Sequence, residues 1–291
     1  MSDTNGKHPS APLAPTGPRP PEERPVRKDE IVIEERGLYI ESWLPERRSR
    51  RRPLYLLHGE LGGSWLWERY LRYFAQRGWE GHALNLRAHF WSETADFAEL
   101  DFGSYLADVD AGAARLSREP VVIGHGMGGL LAMKLAERRP VAGLVLLSPA
   151  LPAALRSPAR PHELQLPDVF RHGLLGWHLP ADQLVEQHSD LTPADVMRIQ
   201  HMLGAESGAA RRDVLAGVPL RREPLRDLPM LIVGAGLDRL YPEADSERLA
   251  EWLGAEYQPF GAHSHYGLVI GERSFEQVAE SVRLFLEGHR L

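Results

Sequence analysis

The stretch "VVIGHGMGGLLA", residues 121–132, decides how this chain is read. The apolar run Val121, Val122, Ile123 meets a glycine-dense turn, and an apolar helical pattern through Leu130, Leu131, Met133 and Leu135 follows. That order predicts strand, tight turn and helix. Gly124, Gly126 and Gly129 also spell G-x-G-x-x-G, the dinucleotide-binding spacing, whose mechanism needs an acidic residue about 20 positions on to hold a ribose. The next apolar run, "VAGLVLLS", ends at Ser148 and Pro149 with no acid, so a nucleotide is not expected.

Working outward, the chain has 291 residues, 43% hydrophobic and 25% charged, which suits one large globular α/β domain with an insertion. A net charge of −6 argues against a nucleic-acid partner. With no cysteine, disulfides, thiolate metal sites and cysteine nucleophiles are all excluded. No apolar run approaches the ~18 residues of a membrane span, and no signal-peptide core opens the chain, so a cytoplasmic location is expected. Seven prolines between residues 9 and 25 place a disordered tail over residues 1–28. The five arginines of Arg47–Arg52 read as a solvated turn.

Strands and helices then alternate. Strands are expected in "IVIEERGLYIESWLPE" (two, around Glu35–Gly37), "PLYLLHG", "GHALNL", "VVIG", "AGLVLLS", "MLIVGA" and "AEYQPF". Helical patterns cover 65–77, 102–116, 127–138, 242–253 and 275–287. Continuous apolar strands between amphipathic helices predict a mostly parallel sheet covered on both faces. Residues 150–227 break the rhythm and are too long for a structureless loop. They are expected to form a helical cap over the carboxyl ends of the strands, dividing the core into 29–149 and 228–291.

Five stretches resemble the α/β-hydrolase superfamily, of the esterase- and lipase-like G-x-S-x-G type. "LLHGELGGSWLWERY" (56–70) is similar to its oxyanion loop, and the two tryptophans there to its plant esterase and hydroxynitrile lyase branch. "LNLRAHFWSE" (84–93) is similar to L-R-G-H-G-x-S, with Ala88 and Phe90 in place of two glycines. "GHGMGG" (124–129) matches G-H-S-M-G-G except at the nucleophile, where Gly126 stands. "VGAGLDRLYP" (233–242) and "GAHSHYGLVIGE" (261–272) resemble the acid and histidine loops, in the family's chain order.

The resemblance implies an α/β-hydrolase fold with a mostly parallel central sheet, flanking helices and a helical cap. It implies that Asp238 orients a histidine base, His265 or alternatively His263, and that the backbone amides of Glu60 and Met127 form the oxyanion hole. The Glu60 side chain is expected to face solvent; turned inward, it would become a candidate acid–base group. Trp65 and Trp177 are candidate pocket walls. Ser148 and Ser264 do not fit a sharp turn beside an oxyanion amide. The histidines 162, 172, 178, 188 and 201 show no metal spacing, and neither metal nor cofactor is expected.

Without the serine, a covalent triad would lose about 10⁶ in kcat. Three readings stay open: an enzyme using a His–Asp dyad and oxyanion hole on a small, largely apolar ester, thioester or other carbonyl compound; a ligand-binding pseudoenzyme; and a serine knockout of a carboxylesterase-like hydrolase. The partner in each is a small molecule, and nothing in the chain signals an oligomeric state.

Overall fold

The computed structural model describes residues 25–47 and 50–291. The proline-rich segment before Pro25, and Arg48 and Ser49 of the arginine turn, lie outside the described residues. Strand β1 runs Val26–Ile33, so residues 26–28 of the expected tail lie in a strand. Asp29, Glu30 and their neighbours pair along Ser42 and Glu41 of β2 (Leu38–Pro45), and this ladder extends the sheet where polar composition alone suggested a tail.

The remaining core strands are β3 (Leu54–Leu57), β4 (Gly81–Asn85), β5 (Val121–His125), β6 (Gly143–Leu147), β9 (Met230–Ala235) and β10 (Glu256–Phe260). They lie in the order β1-β2-β4-β3-β5-β6-β9-β10. Only the β1–β2 and β2–β4 pairings are antiparallel. Alternation along each strand fills both faces. Leu56, Ile123, Val145 and Val233 pack with α1 (Glu68–Gln76) and α8 (Phe275–Gly288). Tyr55, Val122, Leu146 and Ile232 pack with α2 (Phe102–Ala113), α3 (Met127–Arg138) and α7 (Glu243–Leu253). A strand buried on both sides reads as an unbroken apolar run, which is why these strands were legible.

From β3 the chain moves one way, to β4; from β5 it moves the other way, to β6, β9 and β10. The loops leaving β3 and β5 therefore diverge and open a crevice at the carboxyl ends, where such sheets bind ligands. Glu60 follows β3 and Gly126 follows β5, so topology alone sets them side by side.

Residues between β6 and β9 form α4 (Ala181–Gln187), α5 (Pro193–Met202) and α6 (Gly208–Ala216). They also form a two-stranded antiparallel ribbon, β7 (Val169–Arg171) with β8 (Ala205–Ser207), which the helical expectation did not include. The insertion is tied to the loops past β3 and β10. Gly204 N–H donates to Leu61 O at 3.0 Å, and Ser264 N–H donates to Asp190 Oδ2 at 2.8 Å.

The glycines of the 124–129 turn answer a packing demand. A Cβ on Gly124 would lie 2.3 Å from Gly128 O, and one on Gly128 would lie 2.3 Å from Leu57 O. Both obstacles are backbone, so neither can yield cheaply. Gly124→Ala or Gly128→Ala is expected to cost about 3 kcal/mol in urea denaturation. Gly288→Ala, with open space around it, should cost nothing measurable; equal effects would remove the close-packing account.

Candidate active site

Gly126 sits between β5 and α3 with φ 56° and ψ −123°, a region that costs other residues of order 1–3 kcal/mol. Its N–H donates to Leu147 O at 3.1 Å and its carbonyl accepts from Ala150 N at 3.0 Å, which pins the turn to the neighbouring strand. A Cβ here would stand 3.2 Å from Tyr241 Cε2, and 3.3 Å from both Glu60 Oε2 and His265 Cε1. Three groups of different chemistry thus converge on one glycine.

Asp238 follows β9 and His265 follows β10, parallel neighbours whose carboxyl ends bring the two loops together. His265 Nδ1–H donates to Asp238 Oδ2 at 2.6 Å, and both residues are buried. Asp238 Oδ1 accepts from Leu240 N at 2.7 Å and Tyr241 N at 2.8 Å. Burial would raise the Asp238 carboxyl, but the His265 imidazole and these two amides outweigh it and hold it below the usual range. With Nδ1 committed as donor, Nε2 is the basic nitrogen of His265, and it has no hydrogen-bond partner among the described residues. His263 is placed elsewhere, its Nε2 3.3 Å from the Ser274 carbonyl. The His125 ring lies 3.9 Å from that of His265, and its Nε2–H donates to His265 O at 3.0 Å. Ser148 Oγ is buried without a partner, and Ser264 Oγ accepts from Gly267 N at 3.3 Å.

Glu60 corrects the solvent-facing expectation. It is 3% exposed and turned inward. Its Oε1 accepts from Arg211 Nη1 at 2.5 Å and from the Tyr241 hydroxyl, while Arg211 Nη1 also donates to Tyr241 Oη at 2.7 Å. Its Oε2 accepts from Met127 N–H at 3.4 Å. The amide expected to face an oxyanion therefore faces a carboxylate of the protein itself. A buried carboxylate needs a partner, and Arg211, on α6 of the insertion, supplies it.

A second buried cluster holds the same loop. Glu206, on β8, accepts from Leu61 N at 3.0 Å, from His89 Nε2 at 3.3 Å and from the Tyr105 hydroxyl at 2.5 Å. His89 Nδ1 donates to Arg87 O at 2.9 Å, which turns Nε2 to the Glu206 carboxylate. Burial opposes a charge on the ring, but Glu206 outweighs it and raises the His89 pKa. Arg87 itself is forked onto the buried Asp108 of α2. Ala88 and Phe90, standing where the family pattern has glycines, adopt φ of 63° and 47°. The turn has kept its left-handed backbone without the residue that makes it easy.

A cavity of about 310 Å³ opens beside His265, walled by Leu175, Trp177, Leu184, Leu240 and Tyr266. Trp177, a candidate pocket wall, lines this cavity. Trp65 does not line this cavity; it is buried in the core layer with α1. A larger hollow of about 620 Å³ lies along the β1–β2 edge, and shares no residue with the Gly126 turn or the histidine loop. Among the described residues no cluster of three His, Asp or Glu side chains could hold a metal, and no helix is long and apolar enough to cross a membrane. Glu206, His89, Arg211 and Tyr241 were missed from the sequence.

The family pattern described as "Alpha/beta hydrolase family" matches residues 54–281. The chain belongs to that family. A pyrethroid hydrolase of Sphingobium wenxiniae is 28% identical over 102 residues, 34% of this chain and 36% of that protein. The chain thus spans about a third of the length of that curated relative. The solved structure of a Paleococcus ferrophilus monoacylglycerol lipase superposes with a TM-score of 0.66 at 19% identity, covering 87% of this chain and 99% of the lipase. A thermophilic esterase gives 0.64 at 18%, covering 91% and 98%. At such identities the likeness is one of fold.

The buried imidazoles predict how stability follows pH. Burial lowers His58 from 6.5 to about 3 and His82 to about 4, and burial followed by the neighbouring His265 ring drives His125 well below 6.5. As pH falls through 6.5 the unfolded chain binds protons that the folded chain refuses, so stability is lost on the acid side. His89 works oppositely: its contribution is complete below the ordinary histidine value and lost as pH rises through its raised one. Urea denaturation between about pH 5 and 6 should show stability rising with pH, and His58→Gln should flatten that slope by up to about 1.4 kcal/mol per pH unit. An unchanged slope would mean that His58 is not buried neutral.

Proposed function

We propose that this family member works without an acyl-enzyme, using His265, oriented by Asp238, as a general base on a small, largely apolar carbonyl compound held beside Trp177 under the cap formed by residues 150–227. The observation that carries this reading is the 2.6 Å Asp238–His265 hydrogen bond, which leaves Nε2 as the basic nitrogen beside an apolar cavity.

Gly126 stands at the nucleophile position and offers no hydroxyl. The oxyanion position is closed as well, since a carboxylate there opposes the negative charge of a tetrahedral intermediate. Acyl transfer is thus disfavoured twice. A proton transfer needs no nucleophile: the substrate C–H or O–H gives its proton to Nε2, its bonding electrons stay on the substrate as an enolate or alkoxide whose oxygen lies away from Glu60, and Asp238 stabilises the imidazolium that forms. The same carboxylate speaks against a serine knockout. Deleting a serine side chain leaves an oxyanion hole open, whereas Glu60 occupies this one and is held by Arg211 and Tyr241. A second reading, a protein that binds its ligand without turnover, draws on the same filled hole.

Two assays separate these readings. Deuterium exchange into the α-position of 2-heptanone, followed by NMR, should be accelerated by the protein and fall to background in His265→Ala. Exchange that is absent, or indifferent to His265, would leave the binding reading. With p-nitrophenyl butyrate, neither the protein nor Gly126→Ser is expected to turn over, and Gly126→Ser should lose ~1–3 kcal/mol of stability from its backbone angles. Turnover should appear when Gly126→Ser is combined with Glu60→Gly and Arg211→Leu, which empties the hole without stranding a charge. Rapid hydrolysis by Gly126→Ser alone would show that Glu60 does not block the site.

A further inference from the structure

The cavity beside His265 carries two polar features that proton transfer does not use. On one wall His188 stacks flat on Trp177, ring centroids 4.9 Å apart and planes 9° off parallel. Its Nδ1 is buried without a hydrogen-bond partner. Arg239 also lines the cavity, exposed, with Nη1 donating to Gln187 Oε1 at 2.9 Å. No carboxylate pairs with it among the described residues. The adjacent Asp238 does not pair with it; its oxygens accept instead from His265 and from Leu240 N and Tyr241 N. Gln187 is neutral, so the guanidinium keeps both its charge and most of its donors.

An arginine at the rim of an apolar cavity, satisfied by one amide oxygen, is arranged for an anion that arrives with the ligand. Its planar fork matches a carboxylate, which accepts two parallel N–H bonds. The rest of the wall is apolar, with Leu175, Leu184, Leu240 and the Trp177 face, and 310 Å³ is at the small end of ligand pockets, which run from about 300 Å³ upward. Resting on the reading of this cavity as the ligand site, we infer that the ligand is a small apolar acid: its carboxylate binds Arg239, its hydrocarbon lies along Trp177 and the leucines, and Arg239 is the residue that determines specificity.

The test uses two ligands of equal size, octanoate and octanamide, titrated into the full chain at pH 7.5 with calorimetry and tryptophan fluorescence. Octanoate should bind about tenfold more tightly, the size of a charge-assisted hydrogen bond that is partly screened. Arg239→Gln should abolish that preference by weakening octanoate while leaving octanamide unchanged. Trp177→Phe should remove the fluorescence change and so locate the site. Equal affinity for the two ligands, no binding of either, or an Arg239→Gln protein that still prefers octanoate would overturn the inference. Repeating the titration with His265→Ala separates it from the general-base reading. A preference that persists where α-proton exchange is absent leaves acid recognition standing alone. Exchange that continues without any preference overturns the acid recognition and leaves the base.

Discussion

The Glu60 carboxylate is shut away from water, and a buried charge has to find its counter-ion inside the protein. That requirement joins two parts of the chain. Glu60 leaves strand β3 of the core, while Arg211 sits on α6 of the insertion, 151 positions later. The pair is therefore a clasp between core and insertion. Glu206 repeats the device beside it, reaching from β8 to the Leu61 amide and the His89 ring. Two buried acids, one from each side, hold the loop after β3 against the insertion, and the backbone angle of Leu61, φ 63°, is the local strain that this clasp maintains.

Gly126 and Glu60 are best understood together. A side chain at 126 would press on Glu60 Oε2, Tyr241 and His265, and without one the carboxylate reaches the Met127 amide. The space beside the Gly126 backbone is filled by a side chain from the other loop. Such reciprocity is expected in interiors packed as densely as organic crystals, where unfilled space is a destabilising void.

Much of the fold was legible because its signal is periodic. Unbroken apolar strands and amphipathic helices announced the sheet, and Met127–Arg138 emerged with the bounds its pattern implied. Asp238 and His265 could be read from their place after strands, since parallel strands deliver their following loops to one end of the sheet. The insertion was opaque for the opposite reason. Its ribbon strands are three residues long, too short for any period to show. Arg211 was hidden within it, one of 34 lysines and arginines, and only folding selects which of them meets Glu60. Trp65 misled because a large aromatic beside a glycine loop reads equally as pocket wall or core.

Asp238 links the two halves of the site. Through Oδ2 it fixes the tautomer of His265, and through Oδ1 it holds the backbone of Leu240 and Tyr241. The turn so formed aims the Tyr241 hydroxyl at Glu60, and burial keeps that phenol protonated and able to donate. One carboxylate thus positions both the His265 ring and the hydroxyl that binds Glu60. A protein needing only stability could fill this space with apolar side chains at equal or lower free energy, since a buried ionic network is weak evidence of stabilisation. On the proposed reading, the histidine held in one tautomer at this cavity wall acts on a ligand and is not there to stabilise the fold.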